Sequence, residues 1–180
     1  MGPTTLLRLL SSNDKDICQT AAKALANLAG EESKQEEIVR AGGLAQLLQL
    51  LQEGDGDETV HRMAAGAVAN LAVSPEYQAL LVEQGLLAPL IALAHRAEDP
   101  QTLRMVAAAL ANLCSNPALK RDFADKGGVK NLIFLAQSQH PDVLSQARTI
   151  EKSPSFVGPR ALGQRRRGAQ PSFFCDSSPL

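Results

Sequence analysis

The chain has 180 residues, a formal net charge of −1 at pH 7 and an aromatic content of 3 %, with no tryptophan. A charge this close to zero argues against a protein that binds nucleic acid through bulk electrostatic attraction. No apolar run approaches the ~20 residues of a membrane-spanning helix. The start, Met1-Gly2-Pro3-Thr4-Thr5, has no basic region, so no secretory signal is predicted. The cysteines Cys18, Cys114 and Cys175 are far apart and form no Cys-x-x-Cys, which favours a reduced, intracellular setting.

One alanine-rich segment that ends in Asn-Leu and a small residue occurs three times. Its copies are residues 21–29, 64–72 and 106–114. Their asparagines, Asn27, Asn70 and Asn112, lie 43 and then 42 residues apart. Self-similarity at this period is typical of an all-helical solenoid. In such an array each unit buries its apolar face only against its neighbours.

The first complete unit predicts three helices. A long helix is expected over about 14–29, after the polar cluster 11–14. The motif Ser33-Lys34-Gln35-Glu36 has the form of a capping box and predicts the start of a short helix. Gly42-Gly43 ends that helix, because glycine tolerates the left-handed conformation there. A leucine-rich helix then follows over about 44–52.

The second and third units follow the same order. The second has a long helix over about 57–72. Its short helix is predicted to start at Ser74-Pro75, since proline is favoured at the first helical position. The third unit opens at Asp99-Pro100. Its short helix starts at Asn116-Pro117 and closes at Gly127-Gly128.

The pattern is incomplete at both ends. Residues 2–10 match residues 43–51, so we expect the chain to start inside a repeat. A fourth unit opens at His140-Pro141, but the pattern stops after residue 146. Residues 147–180 hold six Lys or Arg against two Asp or Glu, with four Pro and five Ser, and this composition predicts disorder. The predicted domains are therefore a solenoid over 1–146 and a disordered tail over 147–180.

Three helices per unit, with Gly-Gly before a leucine-rich helix and an alanine-rich helix ending in Asn-Leu, resemble armadillo repeats. The resemblance covers residues 1–146. It implies an all-α, right-handed superhelical solenoid of about three full repeats, with partial units at both ends. Four stretches are more narrowly similar to the C-terminal armadillo tail of plant and algal armadillo-repeat kinesins. They are residues 27–33, 57–60, 98–106 and 140–144.

The chain departs from that kinesin family in two respects. The family leads us to expect a further alanine-rich helix after Gln146, whereas this chain continues Ala147-Arg148-Thr149-Ile150. The departure predicts a truncated or alternatively spliced product, or a reading-frame error. The phosphate-binding motif Gly-x-x-x-x-Gly-Lys-Ser/Thr of a motor domain is also absent, so the resemblance implies part of a motor's tail.

The resemblance implies that the long helix of each unit lines a concave groove. Helical geometry puts the residues 4, 7 and 11 positions before each asparagine on the same side as that asparagine. We call this surface the asparagine face; it comprises Asp16, Thr20, Lys23, Asn27, Thr59, Met63, Gly66, Asn70, Gln101, Met105, Ala108 and Asn112. Arg62 and Arg104 flank it about 80° round the helix. Leu25, Val68 and Leu110 lie on the opposite, core side. The predicted protein-binding residues are Lys23, Asn27, Arg62, Met63, Asn70, Arg104, Met105 and Asn112.

Two interpretations remain open for the asparagines. In one, each carboxamide donates to and accepts from the backbone of an extended peptide in the groove. In the other, each asparagine hydrogen-bonds the neighbouring helix end and sets the geometry of the array. Nuclear-import adaptors place tryptophan four residues before each groove asparagine. Here Lys23, Gly66 and Ala108 occupy those positions, which argues against binding of a basic localisation signal.

Other chemical signals are weak. The histidines His61, His95 and His140 fall on different predicted elements, so they are predicted to be surface or interfacial residues and no metal site is expected. Cys114 matches buried alanines of the other units and is predicted to lie in the core. Residues 53–58 lack calcium-loop spacing, and Arg165–Arg167 is predicted to be an unselected charge run. No catalytic, cofactor-binding or metal-ligating set can be assigned.

The sequence therefore predicts a non-catalytic interaction module. Its partner is a protein, bound in the groove as an extended segment or a helix, with no nucleic acid and no membrane. By resemblance it is the cargo- or regulator-binding tail of a microtubule motor, in the cytoplasm and associated with the cytoskeleton. The alternatives are the substrate-binding armadillo region of a U-box ubiquitin ligase and a free-standing armadillo scaffold. Self-association is expected through exposed apolar solenoid ends at residues 6–10 and 132–135.

Overall fold

The computed structural model describes residues 2–54, 56–136 and 140–152, and this part of the chain contains eleven α-helices. In chain order they are α1 Pro3–Leu9, α2 Lys15–Ala29, α3 Glu32–Arg40, α4 Gly43–Gln52, α5 Glu58–Leu71, α6 Pro75–Glu83, α7 Leu87–Arg96, α8 Pro100–Leu113, α9 Pro117–Asp125, α10 Gly128–Ala136 and α11 Pro141–Lys152.

The helices form three complete units, α2–α4, α5–α7 and α8–α10, flanked by α1 and α11. The long helices α2, α5, α8 and α11 pack side by side, each against the next, and form one layer. The leucine-rich helices α4, α7 and α10 pack behind them. The prediction of an all-α solenoid with partial units at both ends is confirmed.

Aspartates fix where the long helices begin. The side chains of Asp14, Asp57 and Asp99 accept hydrogen bonds from backbone N–H groups in the first turn of the helix that follows each of them. Such bonds satisfy N–H groups that have no partner within the helix. Asn116 does the same for α9. Glycine ends each short helix, with φ of +83°, +83° and +84° at Gly42, Gly85 and Gly127.

The capping box predicted at residues 33–36 is wrong. Helix α3 begins one residue earlier, at Glu32, and the preceding Glu31 makes no side-chain cap. Ser33 therefore lies inside the helix. Gln35 faces the core instead of the helix start, because its amide group finds backbone carbonyls there. Ser74 precedes α6 as predicted but also makes no side-chain cap.

The core is made of leucine, valine and alanine at the predicted positions. Leu25, Val68 and Leu110 are 1 %, 0 % and 0 % exposed. Cys114 is buried like the matching alanines of the first two units, so its predicted place in the core is confirmed. The small side chains of Cys114 and of these alanines let neighbouring long helices approach closely, which suits a chain without tryptophan.

The predicted apolar strips at the two ends are largely wrong. Leu6, Leu7 and Leu10 are buried, because α1 packs against α2, α3 and α4. At the other end Leu135 is buried, because α11 packs against α10 and α8, while Phe134 stays 38 % exposed. The side chains of residues 132 and 133 lie outside the described part.

Helix α11 passes through the predicted domain boundary at residue 146. It continues to Lys152, with Val143 and Ala147 buried, because these two side chains lie on its inner face against the third unit. The predicted end of this helix by Ser153 concerns residues outside the described part of the chain and stays a prediction. The predicted disorder of the tail concerns residues 153–180, which lie outside the described part of the chain.

Within the described ranges, every single helix is too short or too polar to cross a membrane. Only α6 and α7 taken together, across a bend of 82°, reach such a length and composition.

Candidate functional site

The asparagine face lies on the surface of the packed long helices. All twelve of its residues are exposed or half-buried, in contrast to the leucines and valine on the opposite side of the same helices. Because α2, α5 and α8 pack in sequence, this surface is continuous over three units. The sequence-predicted site residues are thus brought onto one surface, with the two arginines at its edge.

Asn70 and Asn112 each bind the end of the preceding long helix. The Nδ2 of Asn70 donates to the Ala26 carbonyl at 3.0 Å, and the Nδ2 of Asn112 donates to the Ala69 carbonyl at 2.8 Å. These two carbonyls lack the usual helical donor four residues later. The amide of Gly30 bonds the Asn27 carbonyl instead, and that of Val73 bonds the Asn70 carbonyl. The asparagines therefore satisfy acceptors that a helix end leaves open.

The bonds made by the two Nδ2 atoms agree with the interpretation in which each asparagine hydrogen-bonds the neighbouring helix end. Their Oδ1 atoms are neither hydrogen-bonded within the described residues nor fully buried. Each Oδ1 therefore belongs to a half-buried side chain and has no donor among the described residues. Asn27 differs, since it is exposed and its carboxamide has no hydrogen bond within the described ranges. No long helix precedes α2 in the described part of the chain.

Two buried glutamines also donate hydrogen bonds to carbonyls at the ends of the long helices. This role was not predicted from the sequence. Gln35 is 6 % exposed and its Nε2 donates to the carbonyls of Ala29 at 2.9 Å and Asn70 at 3.4 Å. Gln78 is 3 % exposed and its Nε2 reaches the carbonyls of Ala72 and Asn112 at 2.9 and 3.2 Å. Each glutamine therefore joins the ends of two successive long helices. Their equal offset of eight residues from the preceding asparagine was the available signal.

The other end of the long helices is joined by charged pairs. Lys15 binds Asp57 at 2.8 Å and Arg62 binds Asp99 at 3.2 Å, so each cation reaches the aspartate that starts the next long helix. The hydrogen bond from Lys15 is the main cause that lowers the pKa of Asp57. Burial alone would raise the pKa of Asp99, but bonds from Thr102 and Arg62 outweigh it, and that pKa is lowered too. Arg62 is thus engaged within the array.

Arg104 has no such partner within the described ranges. Its Nη2 donates to Gln101 Oε1 at 2.9 Å, and its Nε is buried without an acceptor among the described residues. The residue before the next long helix is His140, where the earlier units have aspartate. Among the described residues no carboxylate is paired with Arg104, which lies at the edge of the asparagine face.

The middle of the face is apolar. Met63 and Met105 are half-buried on α5 and α8. Gly66 lies beside Met105, since a Cβ added at Gly66 would be 3.5 Å from the Met105 sulfur. Flexible thioethers next to a residue without a side chain form a surface that can adapt to different apolar groups. Lys23 is exposed on α2, with no ion pair in the described part.

A second polar cluster lies away from this face. His61 is 5 % exposed and its Nε2 lies 2.8 Å from the Glu53 carbonyl, which also accepts from Arg96 at 3.1 Å. Burial, and then the positive charge of Arg96, lower the pKa of His61. His61 and Arg96 line an open pocket of about 260 Å³, together with Gly54 and Gly56. The polar groups of the cluster are used in packing α7 against the end of α4.

The geometry defines a class of protein: an all-α solenoid of three-helix units whose long helices share one accessible face. The family model described as armadillo/beta-catenin-like repeat matches residues 2–30, 33–73 and 74–115. The chain therefore belongs to the armadillo-repeat family. This fold is typically a non-catalytic scaffold for binding proteins.

Solved structures of armadillo proteins superpose on most of this chain. A computationally designed armadillo repeat protein for modular peptide recognition has a TM-score of 0.77 and 27 % identity, covering 83 % of this chain and 63 % of that one. A designed armadillo repeat protein in complex with the peptide (KR)4 has a TM-score of 0.76 and 26 % identity, with the same coverages of 83 % and 63 %.

Curated relatives match a shorter part of the chain. Kinesin-like protein KIN-UB of Arabidopsis thaliana is 52 % identical over 52 residues, which are 29 % of this chain and 6 % of that protein. Kinesin-like protein KIN-UA of Oryza sativa subsp. japonica is 42 % identical over 61 residues, or 34 % of this chain and 6 % of that protein. The chain thus aligns with only a small fraction of each kinesin-like relative.

Proposed function

We propose that this chain is a non-catalytic protein-interaction module that binds an extended segment of a partner protein along the asparagine face. The observation that carries the proposal is the pair of Oδ1 atoms on the half-buried Asn70 and Asn112, which have no donor among the described residues while the Nδ2 of each is bonded within the array. An oxygen without a donor accepts a hydrogen bond from a peptide N–H. The fixed Nδ2 bond orients that oxygen before the partner arrives.

The spacing of the long helices suits an extended chain. Packed helices lie about 8–10 Å apart, and an extended peptide advances about 3.3 Å per residue. Successive asparagines therefore meet N–H groups every two to three residues of the partner. Contacts to the backbone give affinity for many sequences, and the methionines between them select apolar side chains.

Relatives support this assignment at two levels. Designed armadillo proteins with the same fold are described as peptide-recognition proteins, and one is in complex with a peptide. The kinesin-like relatives favour a place for this chain in the cargo- or regulator-binding tail of a microtubule motor, in the cytoplasm and on the cytoskeleton. The upstream reading frame tests this second level. A motor domain there supports it, and a U-box domain there contradicts it in favour of the ubiquitin-ligase alternative.

The groove itself is tested with peptides. Twelve-residue peptides are selected from a phage-displayed random library on the immobilised full chain, and the strongest are measured by fluorescence anisotropy. Asn112→Ala is expected to weaken binding about fivefold, as loss of one hydrogen bond predicts. Met105→Ala is expected to weaken it as well.

The control is Gln49→Ala, an exposed residue on α4 that lies outside the asparagine face. It is expected to bind the selected peptides as the wild type does. Circular dichroism confirms that each variant is folded before binding is measured. Full affinity for both Asn112→Ala and Met105→Ala would contradict the proposed groove.

A further inference from the structure

The position eight residues before each asparagine is occupied by Gln19, Arg62 and Arg104 in turn. In the second unit its side chain bonds the aspartate that starts the next long helix, since Arg62 bonds Asp99 at 3.2 Å. In the first unit the cation paired with that aspartate is Lys15, which binds Asp57 at 2.8 Å, while Gln19 helps to lower the pKa of Asp57. Helix α11 packs against α8 as α8 packs against α5, yet it starts after His140. The third unit therefore has the cation of this arrangement and a different residue at the carboxylate position.

The consequence is visible in the hydrogen bonds of Arg104. Its one partner in the described part is the neutral amide oxygen of Gln101, and its Nε is enclosed without an acceptor. Leaving a buried donor of a charged group unpaired is costly, and such groups are rare in folded proteins. A guanidinium presents its N–H groups as a rigid fork that matches a carboxylate. Arg104 thus has the geometry of a carboxylate site, with no carboxylate partner among the described residues.

We propose that Arg104 binds the side-chain carboxylate of an aspartate or glutamate in the segment that occupies the asparagine face. This deepens the proposed function and rests on it. The acidic residue lies between the third and fourth units, next to Met105, which receives an apolar neighbour in the segment. Lys23 places a second positive charge at the far end of the same face, where Asp16 is the one acidic residue of that face. The preferred partner is therefore an acidic and apolar segment.

The test compares peptide selections on matched variants of the full chain. Arg104→Gln removes the charge and reproduces the residue that the first unit carries at this position. Arg40→Gln is the charge-matched control, because Arg40 is exposed on α3 and pairs with Glu36 of the same helix. Random twelve-residue peptides are selected on the wild type and both variants. Peptides from the wild type and from Arg40→Gln should share an acidic residue at one position, and those from Arg104→Gln should lose it.

A double-mutant cycle then assigns the contact. The strongest acidic peptide and its neutral counterpart, with Asp→Asn or Glu→Gln at the shared position, are titrated against the wild type and Arg104→Gln by fluorescence anisotropy. The neutral peptide should bind the wild type about tenfold more weakly than the acidic one, as a charge-assisted hydrogen bond predicts. Both peptides should bind Arg104→Gln equally. Raising the salt concentration should narrow the difference on the wild type.

Several results would overturn the proposal. Selected peptides that bind the asparagine face but show no acidic preference refute the role of Arg104. Peptides that keep the acidic preference when they are selected on Arg104→Gln refute it as well. Neither result contradicts peptide binding at the asparagine face. Peptides that bind Asn112→Ala and Met105→Ala at full affinity refute both. A peptide selection on the Asp142→Asn variant tests whether a carboxylate of the chain itself pairs with Arg104. An unchanged preference supports the proposal, and an acidic preference that arises only in Asp142→Asn overturns it.

Discussion

Asn70→Ala tests whether the carboxamides hold neighbouring units together. The substitution removes the 3.0 Å bond from Nδ2 to the Ala26 carbonyl, which has no helical donor of its own. A hydrogen bond of this kind contributes about 1 kcal/mol. Alanine favours the helix by up to about 0.7 kcal/mol over asparagine, which partly offsets the loss. The net effect of one variant alone is therefore small and ambiguous.

Asn27→Ala resolves the ambiguity, because it makes the same substitution at the same place in α2. Asn27 is exposed and its carboxamide has no hydrogen bond in the described part, so it experiences the helix preference alone. The free energy of unfolding should be about 1 kcal/mol lower for Asn70→Ala than for Asn27→Ala. For a chain of this size the midpoint temperatures should differ by about 2–4 °C.

Urea unfolding followed by circular dichroism measures both variants against the wild type, and unchanged m-values show that the same surface is exposed in each. Asn70→Asp is a third member of the series, since a carboxylate cannot donate to the Ala26 carbonyl and sits unfavourably at a helix C-terminus. It should be less stable than Asn70→Ala. Equal stability of Asn27→Ala and Asn70→Ala would refute the assignment of stability to this hydrogen bond.

Three further predictions concern groups outside the asparagine face. Gln78→Leu should lower the unfolding free energy by about 2 kcal/mol in urea titration, because buried carbonyls lose their donor; exposed Gln84→Leu is the control. The pKa of His61 is lowered from 6.5, so stability should fall as pH drops below about 6.5, and His61→Gln should flatten that slope. The pKa of Asp99 is lowered from 3.8, so its contribution should be complete above that pH and lost below it, and Asp99→Asn should remove this acid-dependent step.

The fold could be predicted from the sequence because the same local sequence pattern occurs three times. The Ala and Leu positions around Asn27, Asn70 and Asn112 gave the buried side of each long helix, and the polar cluster 11–14 and Asp99 gave the starts of α2 and α8. Local capping chemistry and helical periodicity act within a few residues, so they can be read directly.

Contacts between units were harder to predict from the sequence. Gln35 looked like part of a capping box, yet its amide is buried against carbonyls of two different long helices. A contact between residues 35 positions apart depends on how units stack, and no local pattern specifies that. The same limit explains why Leu6 was expected to be exposed although α2–α4 cover α1. It also explains why the lack of a carboxylate partner for Arg104 among the described residues became visible only when its surroundings were compared with those of Arg62.

The Nδ2 and Oδ1 atoms of each carboxamide have different roles, and this difference has a consequence for binding. Nδ2 of Asn112 is fixed to the Ala69 carbonyl, so Oδ1 loses little rotational freedom when a peptide N–H reaches it. A partner that spans several units also adds contacts across their boundaries, and it binds only the stacked array. It therefore stabilises the folded chain in proportion to its concentration relative to its Kd. Peptide binding and resistance to urea should rise together in the wild type. In Asn112→Ala both should be weakened, because one side chain serves both the stacking of the units and the recognition of the partner.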